Sequence, residues 1–226
     1  MSIAVIIVSF GRKALLQQTL ETLRDSGFSA KHGTVTVVDN GSQADLRSML
    51  CEWQPYITNL MFLSKNQGKP YAWNLGATIT QEQCKTTGLT KPEFFLFCDS
   101  DLNFHKDWFE TLTRAWNEHK HLPLGAISGF RWPAQPIDRL ETGPTTQLNV
   151  VRFPTGCCVF MSVEAYQSNG SWDTQRLIRT VDTSYFRKVR ERGFFCASIH
   201  PDSVIHHTGK EARTWRIDTG QPKYLP

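Results

Sequence analysis

Asp99-Ser100-Asp101 places two carboxylates one residue apart at the end of the apolar run Phe94-Phe95-Leu96-Phe97. A short continuous run of that kind reads as a strand buried on both faces. Two acids at its end repel each other unless something positive sits between them. A hard divalent cation prefers oxygen ligands and commonly joins one or two carboxylates to substrate phosphates. In open α/β sheets, ligands bind at the carboxyl ends of the strands. The chemistry these residues offer is therefore that of a metal–diphosphate site. The plain alternative is a hydrophilic turn, because Asp and Ser are ordinary turn formers.

The elements that must hold this turn follow from hydrophobic periodicity. Residues 2–9 are a β-branched run that predicts a first buried strand, and Leu15, Leu16, Leu20 and Leu23 then fall at helical spacing. Residues 34–39 predict a second strand, and Leu46, Met49, Leu50 and Trp53 predict the inner face of the helix after it. Residues 57–63 read as a weaker third strand, followed by a helix from Pro70 to about Thr80 and a polar loop over 81–92. The acidic pair closes the fourth strand. Regular alternation of strand and helix argues a parallel, doubly wound sheet.

Beyond Asp101 the pattern predicts a helix over 107–119, a short strand over 125–129 and a long loop rich in Pro, Gly and Thr over 131–148. Residues 150–153 and 159–162 read as a strand pair around Pro154-Thr155-Gly156, residues 183–192 as a helix closed by Gly193, and 194–199 as the last strand. No internal repeat or linker divides the chain, so its 226 residues are expected to form one domain.

Composition narrows the function. A net charge of +4 and a pI near 8.8 suit an anionic small ligand but are too weak to argue for a nucleic-acid partner. No apolar run approaches the roughly 18 residues that span a bilayer. Residues 3–8 are too short for a signal-peptide core and lack a basic start. The six cysteines, at 51, 84, 98, 157, 158 and 196, form no CxxC pair. Free cysteines without zinc spacing point to a reducing, cytoplasmic setting.

Three strand ends carry polar turns: Ser9-Phe10-Gly11, Asp39-Asn40-Gly41-Ser42 and Asp99-Ser100-Asp101. In a doubly wound sheet they converge on one crevice. The order and spacing of IIVSFGRKALLQQTLETL, VVDNGS, NQGKPYAWNLG and CDSD resemble the nucleotide-sugar-dependent, inverting glycosyltransferases of family 2, which have the GT-A fold. PTGCCVFMS, VDTSYFRKVRERGF and VIHHTG extend the resemblance over about residues 3–209. It implies an α/β, GT-A-like, doubly wound, mostly parallel central sheet flanked by helices in a single domain. Residues 1–101 would be its nucleotide-binding half, 102–209 its acceptor-binding half and 210–226 a tail or lid.

The resemblance also implies roles. Ser9, Phe10 and Asp39 would hold the nucleobase and ribose, with Asp39 accepting from a base N–H. Asn66, Gly68, Lys69 and Asn74 would lie under the nucleotide, where Lys69 offsets diphosphate charge; as a plain alternative, Lys69 is a surface charge and Asn66-Gly68 shapes a turn. Asp101 would ligate Mn2+ or Mg2+, with Ser100 beside it and Asp99 on the ribose or on metal-bound water. His206 would complete the coordination. Its neighbour His207 points the opposite way in an extended segment, so only one of the two faces the metal.

Asp182 would be the general base that takes the proton of an acceptor hydroxyl, with Asp173 the fallback. Asp182 stands eleven residues ahead of Gly193, as the family pattern requires, but Val181 replaces the usual glutamate before it. Outside that pattern, Asp182 is an N-cap.

Arg131, Trp132, Gly156 and Trp172 are the candidate acceptor-binding residues, the tryptophans as faces for a sugar ring. Glycans, lipid-linked hydroxyls and other hydroxyl acceptors all fit the class. Basic loops bearing tryptophan also suit an acidic glycan or modified DNA. The expected donor is a nucleoside-diphosphate sugar, UDP-linked. Two alternatives stay open. A nucleotidyltransferase needs a glycine-rich loop after the first strand, where SFGRKA offers one glycine. A non-catalytic nucleotide-sugar or glycan binder would have no need of Asp101, Asp182 and His206 together.

Overall fold

The computed structural model describes residues 2–131, 135–175, 181–200 and 204–207. Strand β1 (Ile3–Ser9) is followed by α1 (Lys13–Asp25), β2 (Gly33–Asp39), α2 (Ala44–Glu52), β3 (Asn59–Phe62), α3 (Lys69–Thr87) and β4 (Phe94–Cys98). Then come β5 (Leu102–Phe104), α4 (Trp108–Glu118), β6 (Leu124–Ser128), β7 (Arg139–Thr142), β8 (Gln147–Val150) and β9 (Cys158–Ser162). The described chain closes with α5 (Val163–Asn169), α6 (Val181–Glu191), β10 (Phe195–His200) and β11 (Ile205–His207).

The main sheet has the order β3-β2-β1-β4-β9-β6-β10-β8-β7, and β5 pairs with β11 beside it. Strands β1 to β4 are mutually parallel, β6 and β10 run with them, and β9 lies antiparallel between β4 and β6. The expected mostly parallel α/β sheet is thus present. Its strand order reverses at β1, with β2 on one side and β4 on the other. That reversal opens a crevice at the carboxyl ends of these strands, as doubly wound sheets do.

Every residue of β1 is buried, and the strand's period of two divides them between the sheet's faces. Ile3, Val5 and Ile7 join Leu16, Leu20, Leu23, Leu50 and Trp108 on one side. Ala4, Ile6 and Val8 join Trp73, Ala77, Tyr185 and Phe186 on the other. The strand order is therefore built around β1 and β4, each covered on both faces by helices, which is why both read as unbroken apolar runs.

Several expectations are corrected. Helix α3 continues to Thr87 through residues expected to be a loop, because Gln81, Glu82, Gln83 and Lys85 are good helix formers that need no apolar partner. The expected long loop over 131–148 contains the hairpin β7–β8, whose outer strand is mostly exposed and so carries no apolar alternation. Strands β8 and β9 do not pair with each other: β8 joins β10 and β7, while β9 joins β4 and β6. Helix α5, capped by Ser162 accepting from the Ala165 N–H, and the pair β5–β11 were not expected.

Candidate active site

The crevice has two parts. At the ends of β1 and β2, Ser9 lies in register with Asp39, and both are fully buried. The Asp39 carboxylate accepts from Ser9 Oγ at 3.4 Å, from the Ser42 N–H at 3.2 and 3.3 Å, and from Arg47 Nε at 3.0 Å. A carboxylate has about four lone-pair sites, and three donors engage both oxygens here, the Ser42 N–H lying between them. The same carboxylate, from which acceptance of a nucleobase N–H is expected, thereby shapes the turn between β2 and α2. Phe10 and Gly11 follow Ser9, and the Gly11 N–H donates to Ser42 Oγ at 3.0 Å.

Asn40 extends this scaffold to the next loop. Its amide donates to Asn66 Oδ1 at 2.9 Å, and its carbonyl accepts from the Gln67 N–H at 2.8 Å. Asn66 Oδ1 also accepts from the Gly68 N–H at 2.8 Å. Asn66 and Gly68 therefore set the path of the chain into α3. Gly41, at φ +90°, lets the two turns touch: a Cβ there would lie 2.6 Å from the Lys65 carbonyl carbon.

The second part lies at the end of β4. Trp73 Nε1 donates to the carbonyl of Cys98 at 3.2 Å, anchoring α3 to the last residue of that strand. Lys69 stands one helical turn earlier and is thereby delivered over Asp99. Its ammonium lies 3.2 Å from Asp99 Oδ1, 3.2 Å from the Gly156 carbonyl oxygen and 3.6 Å from Asp182 Oδ1. The face of the Trp73 ring is 4.4 Å away. Burial alone would lower the Lys69 pKa, but the Asp99 and Asp182 carboxylates outweigh it and hold the pKa above the ordinary lysine value. Lys69 is thus no surface charge.

Burial pushes the Asp99 carboxyl up to about 6; Lys69 opposes that rise, and the Asp101 and Asp182 charges add to it. Burial also holds the Cys98 and Cys157 thiols well above their usual range, so neither offers a thiolate to the site.

Asp101 is almost fully buried and is ion-paired with Arg12. Two contacts fix this arrangement: the Leu102 and Phe104 N–H groups donate to Thr19 Oγ1 and Thr22 Oγ1 of α1. The chain after Asp101 is therefore bound to the helix that Arg12 precedes. Arg12 itself has φ 53°, the one non-glycine residue in the left-handed region among the described residues. Such a conformation costs of order 1–3 kcal/mol and persists where the surroundings over-determine it. Ser100 Oγ is buried without a hydrogen-bond partner.

Asp182 occupies the first turn of α6 rather than a position before the helix. It reaches the crevice because residue 156 is glycine: a Cβ there would lie 2.1 Å from the Asp182 carboxylate. Gly156 in turn is held beside the acidic turn, since the Asp99 N–H donates to the Cys157 carbonyl at 2.8 Å. Donor-side and acceptor-side candidates, Asp99 and Asp182, thus meet at one ammonium.

Other expected site residues stand elsewhere. Trp172 is corrected from an acceptor face to a core residue: it is about 1% exposed, stacked on Tyr185 at 3.9 Å and packed on Trp73 at 4.8 Å. Asn74 holds it there, donating to the Trp172 carbonyl and accepting from its N–H, both at 2.9 Å, and from Tyr166 Oη at 3.0 Å. With its amide so engaged, Asn74 positions Trp172 rather than reaching a nucleotide. Arg131 donates to the Gln135 carbonyl at 3.2 Å, within a loop that also touches Thr155 through Gln135. Asp173 accepts from the Gln175 N–H at 3.0 Å and so orders a turn.

His206 is exposed on β11, opposite Asn103 of β5, with its ring 4.6 Å from that of His105. The His207 side chain, on which the choice between the two histidines turns, Trp132 and residues 210–226 lie outside what is described. Arg12, Arg47 and Asn40 were not expected in the site. The signals were present, in an Arg one residue after the first turn's glycine and another in the helix after Asp39, but basic residues at such places read as solvent charges.

Among the described residues, no three His, Cys, Asp or Glu side chains are gathered closely enough to hold a metal ion by themselves. The donor chemistry nevertheless fits a hard cation: Asp99 and Asp101 supply carboxylate oxygens, and a cation of this kind takes further ligands from substrate phosphates. Arg12 and Lys69 balance the two carboxylates.

Solved structures share this fold. The chain superposes on Staphylococcus aureus TarS residues 1–349 with a TM-score of 0.68 at 15% identity, covering 93% of this chain and 61% of that one. The mannosyltransferase PcManGT of Pyrobaculum calidifontis, in complex with GDP-Man and Mn2+, gives 0.70 at 17% identity over 95% and 59%. GalNAc-T7, with UDP, GalNAc and Mn2+, gives 0.67 at 12% identity over 92% and 44%. The chain thus spans about 60% of the length of the first two. No curated protein matches it. The sequence pattern of the glycosyl transferase family 2 covers residues 4–170, from β1 through the acidic turn and Gly156 to the end of α5. The chain belongs to glycosyl transferase family 2.

Proposed function

We propose that this protein transfers a single sugar, with inversion, from a nucleoside-diphosphate sugar to an acceptor hydroxyl. The observation that carries the reading is the meeting of Asp99 and Asp182 at Lys69, which puts a diphosphate-side carboxylate and a candidate base in one pocket. Asp182 Oδ1 is buried and has no hydrogen-bond partner, so it has a lone pair unused within the protein that a hydroxyl proton could take. Direct attack of that hydroxyl on the anomeric carbon needs one such base.

The turns built by Asp39, Asn40 and Asn66 form the floor for the nucleoside, in residues 1–101. Residues 102–209 supply the acceptor side, with Arg131 and Gly156 at its edge. Asp101 and Asp99 would hold Mn2+ or Mg2+, with His206 as a further ligand, and the metal would neutralise charge on the departing diphosphate. UDP is the expected base-bearing group; TarS 1–349 has been solved with UDP and with UDP-GlcNAc, which supports it, and GDP-Man in PcManGT makes guanosine the first competitor. Among the described residues no helix is long and apolar enough to cross a membrane, and the six cysteines are free; a reducing, cytoplasmic setting is part of the proposal.

The test is release of nucleoside diphosphate from a panel of UDP- and GDP-sugars in the presence of mixed hydroxyl acceptors. Release by the wild type and its loss in Asp182→Asn are expected. A nucleotidyltransferase would be inactive on this panel and would release pyrophosphate only from a nucleoside triphosphate supplied with a sugar phosphate, and a binder would release nothing from either; each of these results overturns the reading.

A further inference from the structure

Three acceptors surround the Lys69 ammonium, and an ammonium has three N–H donors. The ammonium donates to Asp99 Oδ2 at 3.5 Å, with Oδ1 of the same carboxylate at 3.2 Å, and to the Gly156 carbonyl oxygen at 3.2 Å, whereas Asp182 Oδ1 is at 3.6 Å. The third contact is therefore a charge contact without a hydrogen bond, the weakest of the set and the first to yield to a new acceptor. That same Asp182 oxygen is buried and makes no hydrogen bond. It combines two properties that conflict in a resting base: a lone pair engaged in no hydrogen bond and suited to a hydroxyl, and a cation close enough to quench it.

We propose that Lys69 couples the two halves of the reaction. In the free protein it ties Asp182 to Asp99; when a nucleoside diphosphate occupies the acidic turn, the ammonium moves to the diphosphate oxygens and frees Asp182 to take a hydroxyl proton. Lysine suits this exchange, because its charge is compact and sits on a flexible four-carbon stem. Pro70 and the Trp73–Cys98 hydrogen bond hold the start of α3 in place, so only the side chain has to move. The base would then be armed by the donor, and an acceptor arriving first would meet a carboxylate still held by Lys69. Lys69 is a positioning residue in this scheme, and the inference rests on the reading of the site as a sugar-nucleotide transferase.

The experiment is carboxyl 13C NMR of the full chain labelled at aspartate, titrated with UDP and, in parallel, GDP in the presence of Mg2+, with nucleotide binding followed by calorimetry. The Asp182 resonance is assigned by its disappearance in Asp182→Asn. In the wild type, nucleotide binding is expected to shift this resonance together with that of Asp99. In Lys69→Met the Asp182 resonance should start from a different position and stay there on nucleotide addition, with nucleotide affinity reduced about tenfold. Lys69→Arg, which keeps the charge, should restore the shift at least in part. Binding that leaves the wild-type Asp182 resonance unmoved, or an equal shift in Lys69→Met, overturns the inference alone. Failure of every nucleoside diphosphate to bind overturns both the inference and the proposed function.

Discussion

The two parts of the crevice solve opposite problems. At β1 and β2, Asp39 is buried with both carboxylate oxygens hydrogen-bonded, and Asn40 and Asn66 bind one turn to the next. At β4 and α6, three carboxylates share two cations, while Ser100 Oγ and Asp182 Oδ1 are buried with no hydrogen bond. Buried polar groups are almost always satisfied, so such exceptions call for an explanation. We read the first region as scaffold and propose that a ligand completes the second. Substitutions in the scaffold should therefore cost stability, and those in the second region should cost activity with little loss of stability, or even a gain.

The largest effect is expected for Asp182→Asn. It should lower transfer by about 10²–10⁴-fold, the range that general-base catalysis supplies, while nucleoside diphosphate binding measured by calorimetry stays within about threefold. Wild-type turnover would remove Asp182 as the base and break the contrast at its centre.

Gly156→Ala ranks next. Its new methyl group would collide with the Asp182 carboxylate and force it away, so transfer should fall by about 10–100-fold, in line with the sensitivity of catalysis to displacements of about 1 Å. The melting temperature should hold within a few degrees. A collapse of the fold would show that Gly156 belongs with the scaffold.

Arg47→Ala tests the other side. It leaves the fully buried Asp39 carboxylate without its cation, and chemical denaturation should show a loss of about 2–3 kcal/mol. An effect below about 0.5 kcal/mol would mean that the Asp39 network is not structural.

The smallest and most diagnostic effect concerns Asp99. Its folded-state carboxyl titrates near 6, above the ordinary value of 3.8, chiefly through burial. The folded state therefore holds the proton more tightly than the unfolded chain, and this stabilising contribution is complete below about pH 3.8 and lost as pH rises through about 6. Asp99→Asn, which cannot ionise, should melt a few degrees above the wild type at pH 8 in metal-free buffer and show no such gain at pH 4. A variant that destabilises at pH 8 would place Asp99 with Asp39 in the scaffold.

Legibility from sequence followed the same division. β1, β2 and β4 were readable because both of their faces are buried, which leaves unbroken apolar runs, and the acidic turn was readable because it closes one of them. The far half of α3, the strand β7 and helix α5 were not, because each shows solvent too much of itself to carry a periodic signal. In the site, Asp99, Lys69, Gly156 and Asp182 were found as separate signals, but their convergence depends on a β4–β9 pairing between residues some sixty positions apart. Asn74 and Trp172 were misread for a related reason. A polar side chain and an aromatic ring near a site look like ligand contacts, and only the fold reveals that they bind each other. Arg12 and Arg47 escaped notice because a guanidinium buried against a carboxylate looks in sequence like any surface arginine.

Strand β9 also bears on how this protein can diversify. Its hydrogen bonds to β4 set the gap between the acidic turn and Gly156 by ladder register, and a slip of one residue would turn every side chain of β9 to the opposite face. Length changes in that strand are therefore closed to drift. Strand β7, at the sheet's outer edge and mostly exposed, carries no such constraint. On the proposed function, changes in acceptor preference should accumulate around β7, while the spacing between Asp99 and Gly156 stays fixed.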